Sequence, residues 1–186
     1  MKKLPNIKLL AIALAGVLAS CSTSPETTRI PVSSTMGPDK SLTSQVFNEV
    51  NSYRNAKGAG TLKRHPGLDR LAQQHSEYLL KNRGKFDIYG KNVSHMGFEG
   101  RTLAARQAYK INSLAENVAS ASNASSKHLV DLWASSEGHN HNMKSDWNCT
   151  GIGIAVDTDG MVFATQLFGS AASSSHMEMT NRFNRL

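Results

Sequence analysis

Histidine and cysteine are the side chains here best suited to chemistry near neutral pH. Imidazole serves as acid, base or metal ligand, and the thiolate as nucleophile or metal ligand. The chain holds seven histidines and two cysteines. Their spacing fits none of the standard local catalytic patterns. There is no His-Glu-x-x-His, no Gly-x-Ser-x-Gly, and no glycine-rich phosphate loop ending in lysine. His139 and His141 form an alternate-residue pair, which shares a face only in extended backbone. His75 lies on an apolar helical stripe and reads as a packed histidine. His65 beside Pro66, His128 and His176 read as solvent-exposed. Cys149, beside Trp147 and a predicted strand, reads as a small hydrophobe rather than a nucleophile.

The elements that must position these groups follow from periodicity. Val46, Val50 and Tyr53 fall at helical spacing, and Gly58-Ala59-Gly60 ends that helix. Leu68, Leu71, Ala72, His75 and Leu79 mark a second helix, from Pro66 to near Gly84. A third is expected from Gly100 to Tyr109, and a fourth from Ser125 or Ser126 to Ser136 with Leu129, Leu132 and Trp133 inward. Residues 115–119 read as a short connection between helices. Residues 151–156 and 161–168 read as strands of a hairpin around the turn 157–160. Trp133 and Phe168 are expected in the core. Helices early and paired strands late predict an α+β fold.

Composition bounds the rest. With 186 residues and 39% hydrophobic content, one packed domain is expected, and wholesale disorder is excluded. Residues 43–169 carry the periodic pattern. The stretch 21–42 is rich in Ser, Thr and Pro and reads as a tether, and 170–186 as a polar tail. Residues 1–20 read as a signal: Lys2 and Lys3, an apolar Ile7–Leu18, then Leu18-Ala19-Ser20 before Cys21. That ending resembles the lipobox of bacterial lipoproteins, in which the cysteine is acylated and becomes the mature terminus. Cys21 is therefore the expected lipid attachment point to the membrane, since several acyl chains anchor where one does not. Ser22 resembles the outer-membrane sorting signal of Gram-negative lipoproteins. With Cys21 acylated, Cys149 has no disulfide partner. Setting aside Lys2, Lys3 and Lys8 reduces 21 basic residues to 18 against 14 acidic, a net +4. That excess is scattered, and no nucleic-acid partner is expected.

Several short motifs then occur in a fixed order. They are Asn51 and Arg54, Leu68–Ala72 with His75-Ser76, Ser94-His95, and Ala115-Glu116-Asn117-Val118-Ala119. Trp133 with Ser136-x-Gly138-His139-x-x-Asn142, Gly151-Ile152-Gly153, and Ala164-Thr165-Gln166-x-Phe168-Gly169 complete the set. Together, from about Thr43 to Gly169, they resemble the CAP superfamily (cysteine-rich secretory proteins, antigen 5 and pathogenesis-related proteins), in particular its bacterial, disulfide-free extracellular members. The resemblance implies a three-layer α-β-α sandwich with a central antiparallel sheet. It implies a cleft in which His95, Glu116 and His139 converge, the fourth, acidic position being Ser136 here with Glu137 beside it. Two imidazoles and a carboxylate suit Zn²⁺ or another divalent metal with an open water position, and the alternative is a cross-bracing polar network. The resemblance also implies a lipid or small hydrophobic ligand as a partner. Two readings of function follow: a non-catalytic binding module of the cell envelope, or a metal-assisted, peptidase-like hydrolase using the same cleft. The absence of a dedicated nucleophile and base favours the first.

Overall fold

The computed structural model describes residues 35–85 and 95–171. Cys21, the signal, Ser94, His176 and most of the expected tail lie outside them. Ten elements follow in order: β1 (Thr35–Pro38), α1 (Lys40–Ala56), β2 (Lys63–Arg64), α2 (Pro66–Lys81) and α3 (Phe98–Tyr109). Then come β3 (Ile111–Ser122), α4 (Ser126–Ser135), α5 (Glu137–Lys144), β4 (Cys149–Asp157) and β5 (Met161–Ala171).

The helix starts are set by local chemistry. The Asp39 side chain accepts from Leu42 N at 2.8 Å and caps α1. In α2, Pro66 sits in the first turn, and His65 Nδ1 accepts from the backbone N–H groups of Gly67 and Leu68 at 3.1 and 3.3 Å. His65, expected merely to be exposed, is thus a helix cap. Ser125 caps α4 through His128 N.

Two elements depart from the sequence reading. Residues 115–119 are no connection between helices but the middle of the twelve-residue β3. Ala, Ser and Asn have little strand preference of their own, and the pairing with β5 over Leu114–Ser122 imposes the conformation. The backbone breaks at Ser136, and the polar run Glu137–Lys144 forms α5, which buries only Met143 and so carries no apolar stripe. Order also begins earlier than the composition suggests. β1 and the start of α1 lie within the stretch assigned to the tether, and β1 is drawn in by antiparallel pairing of Gly37 and Pro38 with Val156 and Ala155.

The sheet runs β1-β4-β5-β3, antiparallel throughout this path, with the two-residue β2 added parallel to β4. One face packs on α1, α4 and α5 and the other on α2 and α3, giving the three-layer α-β-α sandwich. Alternation sorts the side chains. Ile152, Ile154, Val162, Ala164 and Phe168 join Val46, Val50, Leu129 and Trp133 on the first face. Cys149 and Leu167 join Leu68, Leu71 and Ala72 on the second. Trp133 and Phe168 are both fully buried.

α2 lies unusually close to β4. A Cβ on Gly151 would stand 2.1 Å from the backbone carbon of Leu68, and one on Gly153 2.2 Å from that of Ala72. This proximity lets α2 side chains reach the β4 backbone. Asp69 Oδ1 accepts from Ile152 N, Gln73 Oε1 accepts from Ile154 N, and Gln73 Nε2 donates to Ile154 O, at 2.9–3.0 Å. Arg83, just past α2, donates to Asp157 and Asp159 at 2.6 and 2.7 Å and fastens the helix end to the hairpin turn. Because the obstructing atoms at Gly153 are backbone, Gly153→Ala should cost about 3 kcal/mol, read as a lowered chemical-denaturation midpoint with unchanged slope.

Candidate functional site

Glu116 lies mid-strand in β3, an edge strand of the sheet, with its side chain only 2% exposed. A carboxylate so placed needs partners, and both oxygens have them. Arg101 of α3 donates from Nε to Oε2 at 2.7 Å and from Nη2 to Oε1 at 2.8 Å, a two-pronged pair. His95 Nδ1 lies 2.9 Å from Oε1, and with a carboxylate opposite, that nitrogen carries the proton. His75 Nε2, on α2, lies 3.9 Å from the same oxygen with its ring stacked on Tyr78. Arg101 also donates to Met96 O at 2.9 Å, tying the segment after His95 to α3.

The opposite wall is α5, and amides fix it to β3. Asn117 Nδ2 donates to His139 O at 3.0 Å, and Asn142 Nδ2 donates to Asn117 Oδ1 at 3.0 Å and to Glu116 O at 3.3 Å. Trp147 Nε1 closes the chain on Asn142 O. At the far end, the buried Arg54 donates to Met143 O and Ser145 O, the carbonyls where α5 ends, and to Gly60 O after α1. Tyr53 holds Asn140 Oδ1 at 2.9 Å. Burial without a carboxylate partner lowers the basicity of Arg54, opposed only by Asp146.

Between the walls lies a cleft of about 850 Å³, lined on the α5 side by Ser136, Glu137, His139, His141 and Lys144 and on the other by His95 and Glu116. The rings of His95 and His139 are 6.1 Å apart, tilted by 56°. The structure thus brings His95, Glu116 and His139 to one cleft, with Ser136 and Glu137 both on its lining. It does not bring them together as a metal centre. Among the described residues no three His, Cys, Asp or Glu side chains converge as a metal-holding group. Glu116, the expected carboxylate ligand, is buried and bonds the Arg101 cation through both oxygens and His95 through one. The donor set does not fit the expected divalent metal. Cys149 is buried beside Gly169 O, and burial raises its thiol pKa, as suits a packing residue.

Arg101 is a site residue to which the sequence reading gave no role; Asn142 stood there only as a motif residue, and His75, read as packed, is buried 3.9 Å from Glu116. Arg101 sits on a helix read through Leu103, Ala104 and Ala108, where a cation passes for a solvated face. Its signal would have been an uncompensated Glu116 on an edge strand, which requires β3 to be recognised first.

The His139 imidazole pKa is lowered, first by burial and then by His95. Its folded value lies below the ordinary 6.5 or so of an unfolded histidine. Above both values neither state binds the proton and His139 contributes no pH dependence. As pH falls through about 6.5 the unfolded chain protonates first, and stability drops until the folded pKa is passed. Thermal melts from pH 7.5 to pH 5 should show this loss, and His139→Gln should make the loss shallower.

Comparison with known proteins agrees with this architecture. The family model of the cysteine-rich secretory protein (CAP) family matches residues 47–168. A search of curated proteins returns no match. Among solved structures, the chain is similar to an outer surface protein from Borrelia burgdorferi, at 20% identity and a TM-score of 0.60, over 75% of this chain and 99% of that one. It is similar to an extracellular protein containing an SCP domain from Bacillus anthracis, at 23% identity and a TM-score of 0.50, over 69% of this chain and 40% of that one. A cysteine-rich secretory protein from Staphylococcus aureus matches at 18% identity and a TM-score of 0.51, over 72% of this chain and 41% of that one. At such identities the neighbours speak for the fold alone, whereas the family model covers most of the chain. The chain belongs to the cysteine-rich secretory protein (CAP) family.

Proposed function

We propose that this protein is a non-catalytic binding module displayed outside the cell through an acylated Cys21, with the cleft between β3 and α5 as its ligand site. The observation that carries this reading is the state of Glu116. A general base or metal ligand must be reachable and basic, and here Arg101 and His95 bond both oxygens while solvent reaches almost none of the side chain. The acid is a strut between α3 and the sheet.

The contrast within the cleft says what faces a ligand. Glu116, Asn117, Asn140 and Asn142 are bonded into the wall. Among the described residues, the side chains of Glu137, His139, His141 and Lys144 hydrogen-bond to none of the others, yet all four line the opening. His141 and Lys144 do so from one face of α5 and His139 from another, so three donors stand beside one acid. Fixed walls with unpaired donors suit a polar ligand that brings acceptors, such as carboxylates. This lining suits a lipid-like ligand poorly. Display outside the cell is supported by the signal-like residues 1–20 and by the outer-surface and extracellular proteins among the structural neighbours.

Succinate, two carboxylates on a short chain, is a direct probe. It should shift the imidazole resonances of His139 and His141, and Lys144→Ala should weaken it about threefold, as expected for losing one exposed ion pair. Shifts confined to His65 and His128 would contradict the site. Glu116→Gln should lower stability by about 3 kcal/mol, since it strands Arg101, and should leave a peptidase assay at background. Peptide hydrolysis by the wild type that Glu116→Gln abolishes without loss of stability would favour the hydrolase instead. For the anchor, Cys21→Ala should move the protein from the detergent phase to the aqueous phase; unchanged partitioning would sink the lipidation.

A further inference from the structure

The two edges of the sheet are treated differently. The outer edge of β4 is covered along its length, by β2 at Cys149–Thr150, by Asp69 and Gln73 at Ile152 and Ile154, and by β1 at Ala155–Asp157. Among the described residues, nothing covers the outer edge of β3 in the same way. The bond from Asn123 N to Gly160 O sets the phase of the β3–β5 ladder, so that odd-numbered residues of β3 bond to β5. The backbone N–H and C=O groups of Glu116, Val118, Ser120 and Ser122 therefore point outward. Among the described residues only Glu116 O has a partner, Asn142 Nδ2. From Val118 to Ser122 the outward groups have no partner among the described residues over about 16 Å.

Natural sheets blunt such edges with charge, proline, a bulge or a covering element. Val118-Ala119-Ser120-Ala121-Ser122 has no charged residue and no proline. The register irregularity of β3 falls at its other end, between Ile111 and Ser113. Ser120 and Ser122 are exposed. The bare stretch also leads directly into the cleft, because Asn117 and Glu116, the next residues along β3, are where the α5 wall is bonded on. A chain lying along this edge therefore arrives at His139, His141 and Lys144, whose unpaired donors outnumber the one acid beside them, Glu137, and complement a carboxylate.

We propose that the edge of β3 from Val118 to Ser122 takes up an extended peptide as an added strand, whose acidic end enters the cleft at His139, His141 and Lys144. Backbone bonds to Val118, Ser120 and Ser122 supply affinity that tolerates sequence, and the carboxylate supplies direction. The placement of the acidic end rests on the binding-module reading; the strand addition rests on the edge alone.

The test uses the full chain in detergent and a pool of hexapeptides with a free terminal carboxylate, random at the other positions. Retained peptides are then N-methylated one residue at a time. Added-strand binding predicts a period of two: methylation on one parity weakens binding about tenfold or more, and on the other less than twofold. Ser120→Pro removes a single outward N–H and leaves the bonds to β5 in place, so it is tolerated at an edge. It should weaken the peptides about tenfold while succinate binding stays unchanged. The amides of Val118 and Ser120 should become protected from hydrogen exchange when peptide is bound. Failure to retain any peptide, or a methylation profile without period two, overturns the proposal. If succinate still binds in that case, the cleft reading survives; if it does not, both fail. A dimer of the chain that Ser120→Pro dissolves would put a second copy on this edge and likewise overturn the peptide.

Discussion

The carboxylate of Glu116 and the guanidinium of Arg101 form the contact on which the site depends. An edge strand rich in alanine and serine has little to hold it against a helix layer. The pair joins β3 to α3 at 2.7 and 2.8 Å, and draws in His95 from the segment ahead of that helix. Removing either partner leaves an unpaired charge where solvent barely reaches, Arg101 being 11% exposed and Glu116 2%. The same contact holds the carboxylate that the hydrolase reading would need, and on the proposed function its work is architectural.

The rest of the cleft is built from neutral amides rather than charges. Asn117, Asn140 and Asn142 bond α5 to β3, α4 and α1, so an eight-residue helix with one buried side chain keeps its place. Arg54 adds two carbonyl contacts at the end of α5 and a third to Gly60, tying it to the segment after α1. Across the sheet, Gly151 and Gly153 do the converse. Without side chains they let α2 settle onto β4, and the polar side chains of α2 stand in for a neighbouring strand. Both edges of the sheet thus meet side-chain amides or carboxylates, but among the described residues only the β4 edge is covered throughout.

How much of this was legible in the sequence varies with the physics that sets each element. α1, α2 and α4 bury apolar stripes, and those stripes were visible in Val46 and Val50, in Leu68 through Leu79, and in Leu129 and Trp133. The hairpin of β4 and β5 was visible because both strands are buried on both faces and its turn carries Asp and Gly. β3 and α5 were not visible, since partners impose their conformations: β3 follows β5, and α5 hangs from Asn142 and Arg54. The grouping of His95, Glu116 and His139 came from ordered motifs shared with the family. Those motifs named the residues but not the bonds between them, so the ion pair with Arg101 needed the fold.

The central claim is that Glu116 and Arg101 act as one structural unit. A double-mutant cycle in chemical denaturation, using Glu116→Gln, Arg101→Met and the pair together, measures this directly. The account predicts strong coupling, with the double variant at least about 2 kcal/mol more stable than the sum of the single losses implies, because each single change strands the other's charge. Additive losses, agreeing to within about 0.5 kcal/mol, would contradict it.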